Sequence, residues 1–166
     1  MANTYYLIEA KTLTTTTASV TFTSIPQTYT DLKLVFSTRD NAASYINNMN
    51  ININGSAANF SARTIMKLGA GASSGTETTN LAFSTSATAT ADTFTNGEVY
   101  FPNYTGSNYK LYSAESASEN NASNNGMIME NGLWSNTAAI TEITFTPSSA
   151  SFVSGSTFYL YGISNT

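Results

Sequence analysis

Polar and apolar residues alternate along most of this chain with a period of two, and no stretch repeats with the 3.6-residue spacing of an amphipathic helix. The cleanest run is Asn48-Met49-Asn50-Ile51-Asn52-Ile53-Asn54, where Met49, Ile51 and Ile53 share one face and the asparagines the other. Successive strand side chains point to opposite faces, so this run is a strand with one buried side. Asn54-Gly55 follows it. That pair readily takes two positive φ angles, and it predicts a type I′ hairpin into a strand around Ser61–Leu68.

The same alternation places Val20 and Phe22 inward in Ser19–Thr23, Leu32, Leu34 and Phe36 together in Asp31–Thr38, and Ile143 with Phe145 in Ile140–Thr146, which Pro147 ends. Tyr5–Ala10 and Thr157–Ile163 are apolar on both faces. Strands of that kind sit inside a sandwich or form a subunit contact. Fainter strands fall at Leu81–Thr85, Glu98–Phe101, Tyr109–Ser116 and Met127–Glu130, with turn clusters at Gly69–Gly75, Asn103–Asn108 and Asn120–Gly126. About ten short strands with regular turns predict an all-β fold, a single antiparallel β-sandwich of jelly-roll-like form. No linker or internal repeat divides the chain, so residues 1–17 are expected to be an N-terminal strand or arm continuous with a sandwich domain over 18–166.

Composition agrees and narrows the chemistry. Serine, threonine and asparagine make up about two fifths of the 166 residues, and only 10% are charged, against about 25% in an ordinary domain. Threonine and tyrosine favour strands, and asparagine and serine favour turns. The 41% hydrophobic content is enough for a packed core. Cysteine and histidine are both absent, which removes disulfides, cysteine-based zinc and iron–sulfur sites, and every serine–histidine or cysteine–histidine mechanism. A net charge of −4 with six scattered cations carries no footprint for nucleic acid. No apolar run reaches the ~18 residues of a membrane helix, and Met1–Tyr6 has no signal-peptide character, so synthesis in the cytoplasm is expected.

Candidate chemistry is sparse. Glu115 and Glu119 are a close acidic pair, but four residues of extended chain separate them by about 13 Å, outside both glycosidase geometries, and they read as solvated edge charges. The other acids are dispersed, with no calcium-loop spacing. Gly69–Gly75 is glycine-rich without the lysine-serine ending of a phosphate loop, and reads as a hairpin loop. Asn54, Asn59, Asn103 and Asn121 each open an Asn-x-Ser/Thr triplet, a frequent coincidence in such a composition. Trp134, Tyr104, Tyr109 and Tyr112 are candidates for a sugar-stacking platform, with core packing or an oligomer contact as the plainer reading of the same rings. No catalytic, cofactor or metal-binding residue emerges, and the expected protein is not an enzyme.

Several segments taken together carry a resemblance: Phe22-Thr23-Ser24-Ile25-Pro26-Gln27-Thr28-Tyr29-Thr30-Asp31-Leu32, then Asn54-Gly55-Ser56 with Ser61-Ala62-Arg63, then Phe101-Pro102-Asn103-Tyr104, Gly132-Leu133-Trp134-Ser135-Asn136-Thr137, and Tyr161-Gly162-Ile163 near the end. In that order, from about Tyr5 to Ile163, they resemble small virion proteins of tailed phages, particularly marine and cyanobacterial ones. The resemblance implies a non-enzymatic β-sandwich on the particle, either capsid decoration (cement) or tail-fibre-associated.

Two functions follow as expectations. The first is a capsid decoration protein on the virion surface, expected as a homotrimer bound to the major capsid protein of a phage head, with Tyr5, Tyr6, Leu7 and Ile8 as an arm or edge strand for the contact. The second is a tail-fibre or receptor-binding module recognising host glycan, with Tyr104 and Trp134 stacking on sugar. A polysaccharide hydrolase would need a carboxylate pair that the sequence does not offer.

Overall fold

The computed structural model describes residues 4–78, 80–119, 121 and 125–164. Twelve strands run in chain order through these residues: β1 (Tyr5–Thr12), β2 (Val20–Phe22), β3 (Asp31–Thr38), β4 (Ile46–Ile53), β5 (Phe60–Leu68), β6 (Gly71–Glu77), β7 (Asn80–Thr85), β8 (Thr95–Phe101), β9 (Lys110–Ser118), β10 (Gly126–Trp134), β11 (Ile143–Pro147) and β12 (Thr157–Ile163). They form an eight-stranded sheet in the order β1-β12-β3-β8-β9-β10-β5-β6 and a four-stranded sheet in the order β2-β11-β4-β7. Every strand pair is antiparallel. The all-β sandwich predicted from alternation is the fold, with twelve strands rather than about ten.

The core lies between the sheets. Leu32, Leu34 and Phe36 of β3 and Phe158 and Leu160 of β12 meet Val20, Phe22, Met49, Ile51, Ile53, Ile143 and Phe145 from the smaller sheet. Phe158 is the hub: its ring lies 6.2 Å from Phe145, 5.2 Å from Phe152 and 6.5 Å from Phe36. Each such fully buried side chain is worth about 1.5–3 kcal/mol relative to exposure, which is why the period-two pattern fixes the register. Rings also cover glycines across the sheet: a Cβ at Gly97 would meet Phe36 at 2.4 Å, and one at Gly132 would meet Tyr112 at 2.0 Å.

Three expectations need correction. β4 and β5 do not form a hairpin, because they belong to different sheets. The tight turn itself is present, with φ of 51° at Asn54 and 75° at Gly55 and reciprocal bonds between Ile53 and Ser56. The place of a hairpin partner beside Ile53 is taken by Ile143 of β11. Asn54 secures that arrangement: its Oδ1 accepts from the N–H groups of Thr141 and Glu142 at 2.9 and 3.1 Å, and its Nδ2 donates to Ala139 O at 2.8 Å. The chain then leaves for the larger sheet.

Gly69–Gly75 is not simply a loop. The turn is confined to Gly69 and Ala70, and Gly71–Glu77 pairs with β5 as the far edge strand. Its residues are small or polar and face solvent on both sides, so no alternation marked it. β11 begins at Ile143, not Ile140, since Ile140 lies in the loop before it and its N–H bonds to Tyr104 O in the loop between β8 and β9. The turn expected over Asn120–Gly126 lies mostly outside the described residues. Asn54, Asn59, Asn103 and Asn121 all have positive φ. Their recurrence before small polar residues therefore reflects turn chemistry.

Candidate functional site

β1 is an edge strand of the larger sheet, held by β12 on one side. Tyr5 and Leu7 are 53% and 55% exposed and Tyr6 is 37% exposed. The register slips between Leu7 and Glu9, so Ile8 is the extra residue of a bulge, and it turns to pack on the core. Of the four residues expected to form a contact arm, three are presented outward and Ile8 is not. Tyr5 leans edge-on to Tyr161 at 6.4 Å and Tyr6 lies against Tyr29 at 5.6 Å, which holds both rings in place. Beyond the bulge the edge becomes charged, with Lys11 paired to Glu9 at 2.5 Å.

Tyr104 and Trp134 are core residues, 0% and 1% exposed. The Tyr104 hydroxyl donates to Pro26 O, and burial raises its pKa. Trp134 packs beneath the Lys110 ammonium, 5.9 Å from its ring centroid. Neither ring can stack on a sugar at the surface, which corrects the expectation for both. Tyr112 is also interior, between Phe101 and Phe60 at 5.7 and 6.3 Å. Tyr109 is exposed.

What the sequence did not single out is the outer face of β8, β9, β10 and β5. Strand registers assemble it in rows. Arg63 of β5 lies opposite Asn131 of β10, Asn131 opposite Ser113 of β9, and Ser113 opposite Tyr100 of β8. The adjoining row holds Ser61, Leu133 and Leu111. These residues and Pro102 surround an open groove of about 530 Å³, whose floor includes Ala62, Tyr112 and Gly132. Tyr100 donates its hydroxyl to Asp31 Oδ2 at 2.7 Å, so its ring is fixed, and that bond and burial push its pKa to about 12. On the other side of the polar row, Ile65, Met129 and Met127 are 68%, 54% and 46% exposed.

Beneath this face the polarity is inverted. Glu130 of β10 is 1% exposed and points into the sandwich, where Tyr112 OH donates to its Oε1 at 2.8 Å. Its Oε2 has no partner among the described residues, nor does the hydroxyl of Thr64, its register neighbour on β5. Burial raises the Glu130 pKa to about 7, helped by the charge of Glu77 and opposed by the Tyr112 bond. Lys110 of β9 is likewise buried; its ammonium donates to Asn108 O at 2.6 Å, and desolvation lowers its pKa. Among the described residues no group of three or more acidic, histidine or cysteine side chains is placed to hold a metal ion.

No family model matches the chain, and no curated protein matches it. Among solved structures, the galectin LEC-6 of Caenorhabditis elegans superposes with a TM-score of 0.32 at 8% identity, covering 98% of this chain and 96% of that one. Likeness at that level assigns neither family nor ligand.

Proposed function

We propose that this chain is a structural protein of a tailed-phage virion, a capsid decoration (cement) protein that binds the assembled head lattice through β1 and stabilises it. The sequence resemblance supplies the virion, and the β1 edge supplies the contact. Natural sheets blunt free edges with bulges and charges. Here the blunting is confined to Ile8–Lys11, while Tyr5–Leu7 stays apolar and exposed. An open edge of that kind binds by extending a neighbouring sheet, with the side chains adding apolar area. The same edge suits a closed homotrimer on the particle surface. Binding only the assembled lattice would stabilise it by mass action.

The test combines location with mutation. Immunogold labelling of the encoding phage is expected to place the protein over the head, and Tyr5→Lys/Leu7→Lys is expected to abolish rebinding to stripped heads while leaving the fold intact. Label at the tail tip, or full rebinding by the variant, would overturn the reading. Host-glycan recognition, the alternative expected from the sequence, loses Tyr104 and Trp134 to the core. A sugar site on this chain has to be built from other residues.

A further inference from the structure

The outer-face groove has the make-up of such a site. It is lined by apolar surface from Leu111, Leu133, Pro102 and the Tyr100 ring, and by neutral hydrogen-bonding groups from Ser61, Ser113 and Asn131. Pyranose rings present this pairing, with C–H faces between hydroxyl rims, and a ring held rigid is a good surface for them. No acidic side chain lines the groove itself; Glu98 and Glu115 lie two residues along from Tyr100 and Ser113, at the β8–β9 end away from Arg63. Its one charged residue is Arg63.

Arg63 stands apart from the other five cations. Lys11 and Lys33 are paired with Glu9 and Glu98. Arg39 is surrounded by the carbonyls of Thr90, Thr93 and Ala89 at 2.8–3.1 Å. Lys67 donates to Gly69 O and Asn125 Oδ1, and Lys110 is buried on Asn108 O. The Arg63 guanidinium makes one bond, to the carbonyl of the adjoining Ala62 at 3.1 Å, and has no carboxylate partner among the described residues. A guanidinium has five N–H donors in a planar fork that fits a carboxylate.

We propose that this groove binds an acidic saccharide, a sugar chain bearing ring carboxylates, with Arg63 taking the carboxylate, Asn131 and Ser113 the hydroxyls, and Tyr100, Leu111 and Leu133 the apolar ring faces. The row Arg63–Asn131–Ser113–Tyr100 spans three strand spacings, about 14 Å, the length of a short oligosaccharide. A peptide fits less well, because the groove lies in the middle of a sheet face, away from the edges where extended peptides add a strand. Nucleic acid needs several cations along its path, and here there is one. The site begins three strand spacings, about 14 Å, from β1, at Tyr100 of β8, and the proposal does not depend on the virion reading.

The experiment is calorimetric titration of the full chain with trigalacturonate, with the neutral trisaccharide galactotriose, and with triglutamate, each at low salt. Trigalacturonate is expected to bind at least about tenfold more tightly than either, the scale of one charge-assisted fork. Arg63→Gln, which sits on an exposed strand face, is expected to bring trigalacturonate down to the level of the neutral sugar with the thermal midpoint unchanged. Lys67→Gln, on the same strand outside the groove, is expected to leave binding as it was. The proposal is overturned if the folded protein binds no trigalacturonate. It also fails if Arg63→Gln binds it normally, if Lys67→Gln weakens it as much, or if triglutamate binds equally well.

Discussion

Replacing Glu130 by glutamine should remove a pH dependence of stability that the wild-type protein carries between about pH 4.5 and 7. The carboxyl is 1% exposed, and one oxygen accepts from Tyr112 OH while the other has no partner among the described residues. Ionising it there strips solvent from a charge with little in return, so burial raises its pKa from 4.5 to about 7 in the folded chain. The folded state therefore holds this proton more tightly than the unfolded state. Glu130 costs nothing at pH below about 4.5, costs progressively more as pH rises toward 7, and levels off above it. At about 1.4 kcal/mol per pH unit, the gap between 4.5 and about 7 amounts to roughly 3 kcal/mol of stability lost by neutral pH.

The window is unusually clean, because the chain has no histidine to titrate in it. Glutamine keeps the volume and the acceptor for Tyr112 OH but cannot ionise. Urea unfolding followed by Trp134, the sole tryptophan and fully buried, would report both proteins at pH 5, 6, 7 and 8. Glu130→Gln is expected to match wild type within about 1 kcal/mol at pH 5 and to exceed it by roughly 2–3 kcal/mol at pH 8. Parallel stability curves across that range would refute the reasoning.

Two further substitutions test the fold's particular contacts. Gly132→Ala would drive a methyl group to 2.0 Å from the Tyr112 ring and is expected to cost about 1–3 kcal/mol in urea unfolding, far more than alanine costs at an open strand position. Asn54→Ala would take an acceptor from the N–H groups of Thr141 and Glu142 and a donor from Ala139 O, at a position with φ of 51°. It is expected to lose about 1–3 kcal/mol, with Asn54→Gly recovering only the backbone part.

Strand identity was legible wherever bulky apolar side chains mark the chain, alternating on one face or present on both. Asp31–Thr38 and Thr157–Ile163 run as β3 and β12 over the same residues the pattern predicts, because each carries bulky side chains that must be buried. The pattern does not say which strands pair. Asn54-Gly55 carries a strong hairpin signal, yet the signal specifies only the local turn, and β11, some ninety residues later in the chain, takes the place beside β4. β6 was illegible for the opposite reason: Gly71–Glu77 buries no apolar face and is a strand only because β5 offers it a free edge.

The groove was hidden by a different conflict, one of parity. In β10 the residues facing inward are Gly126, Ile128, Glu130, Gly132 and Trp134, while Met127, Met129 and Leu133 face out or lie half-buried. β9 buries Lys110 and exposes Leu111, and β5 buries Thr64 and exposes Ile65. Each swap opposes the simple rule that apolar side chains face the core, and each carries a cost: a charge or hydroxyl desolvated within, a large apolar side chain wetted outside. A single swap would be noise. Thr64 and Glu130 are register neighbours within, and Leu111 and Leu133 are register neighbours outside, so the swaps leave exposed apolar side chains on either side of the polar row, and proteins concentrate such departures from local consistency at functional surfaces. The buried Glu130 and the open groove are then two sides of one arrangement. Repairing the first by Glu130→Gln should raise stability without changing ligand binding on the second.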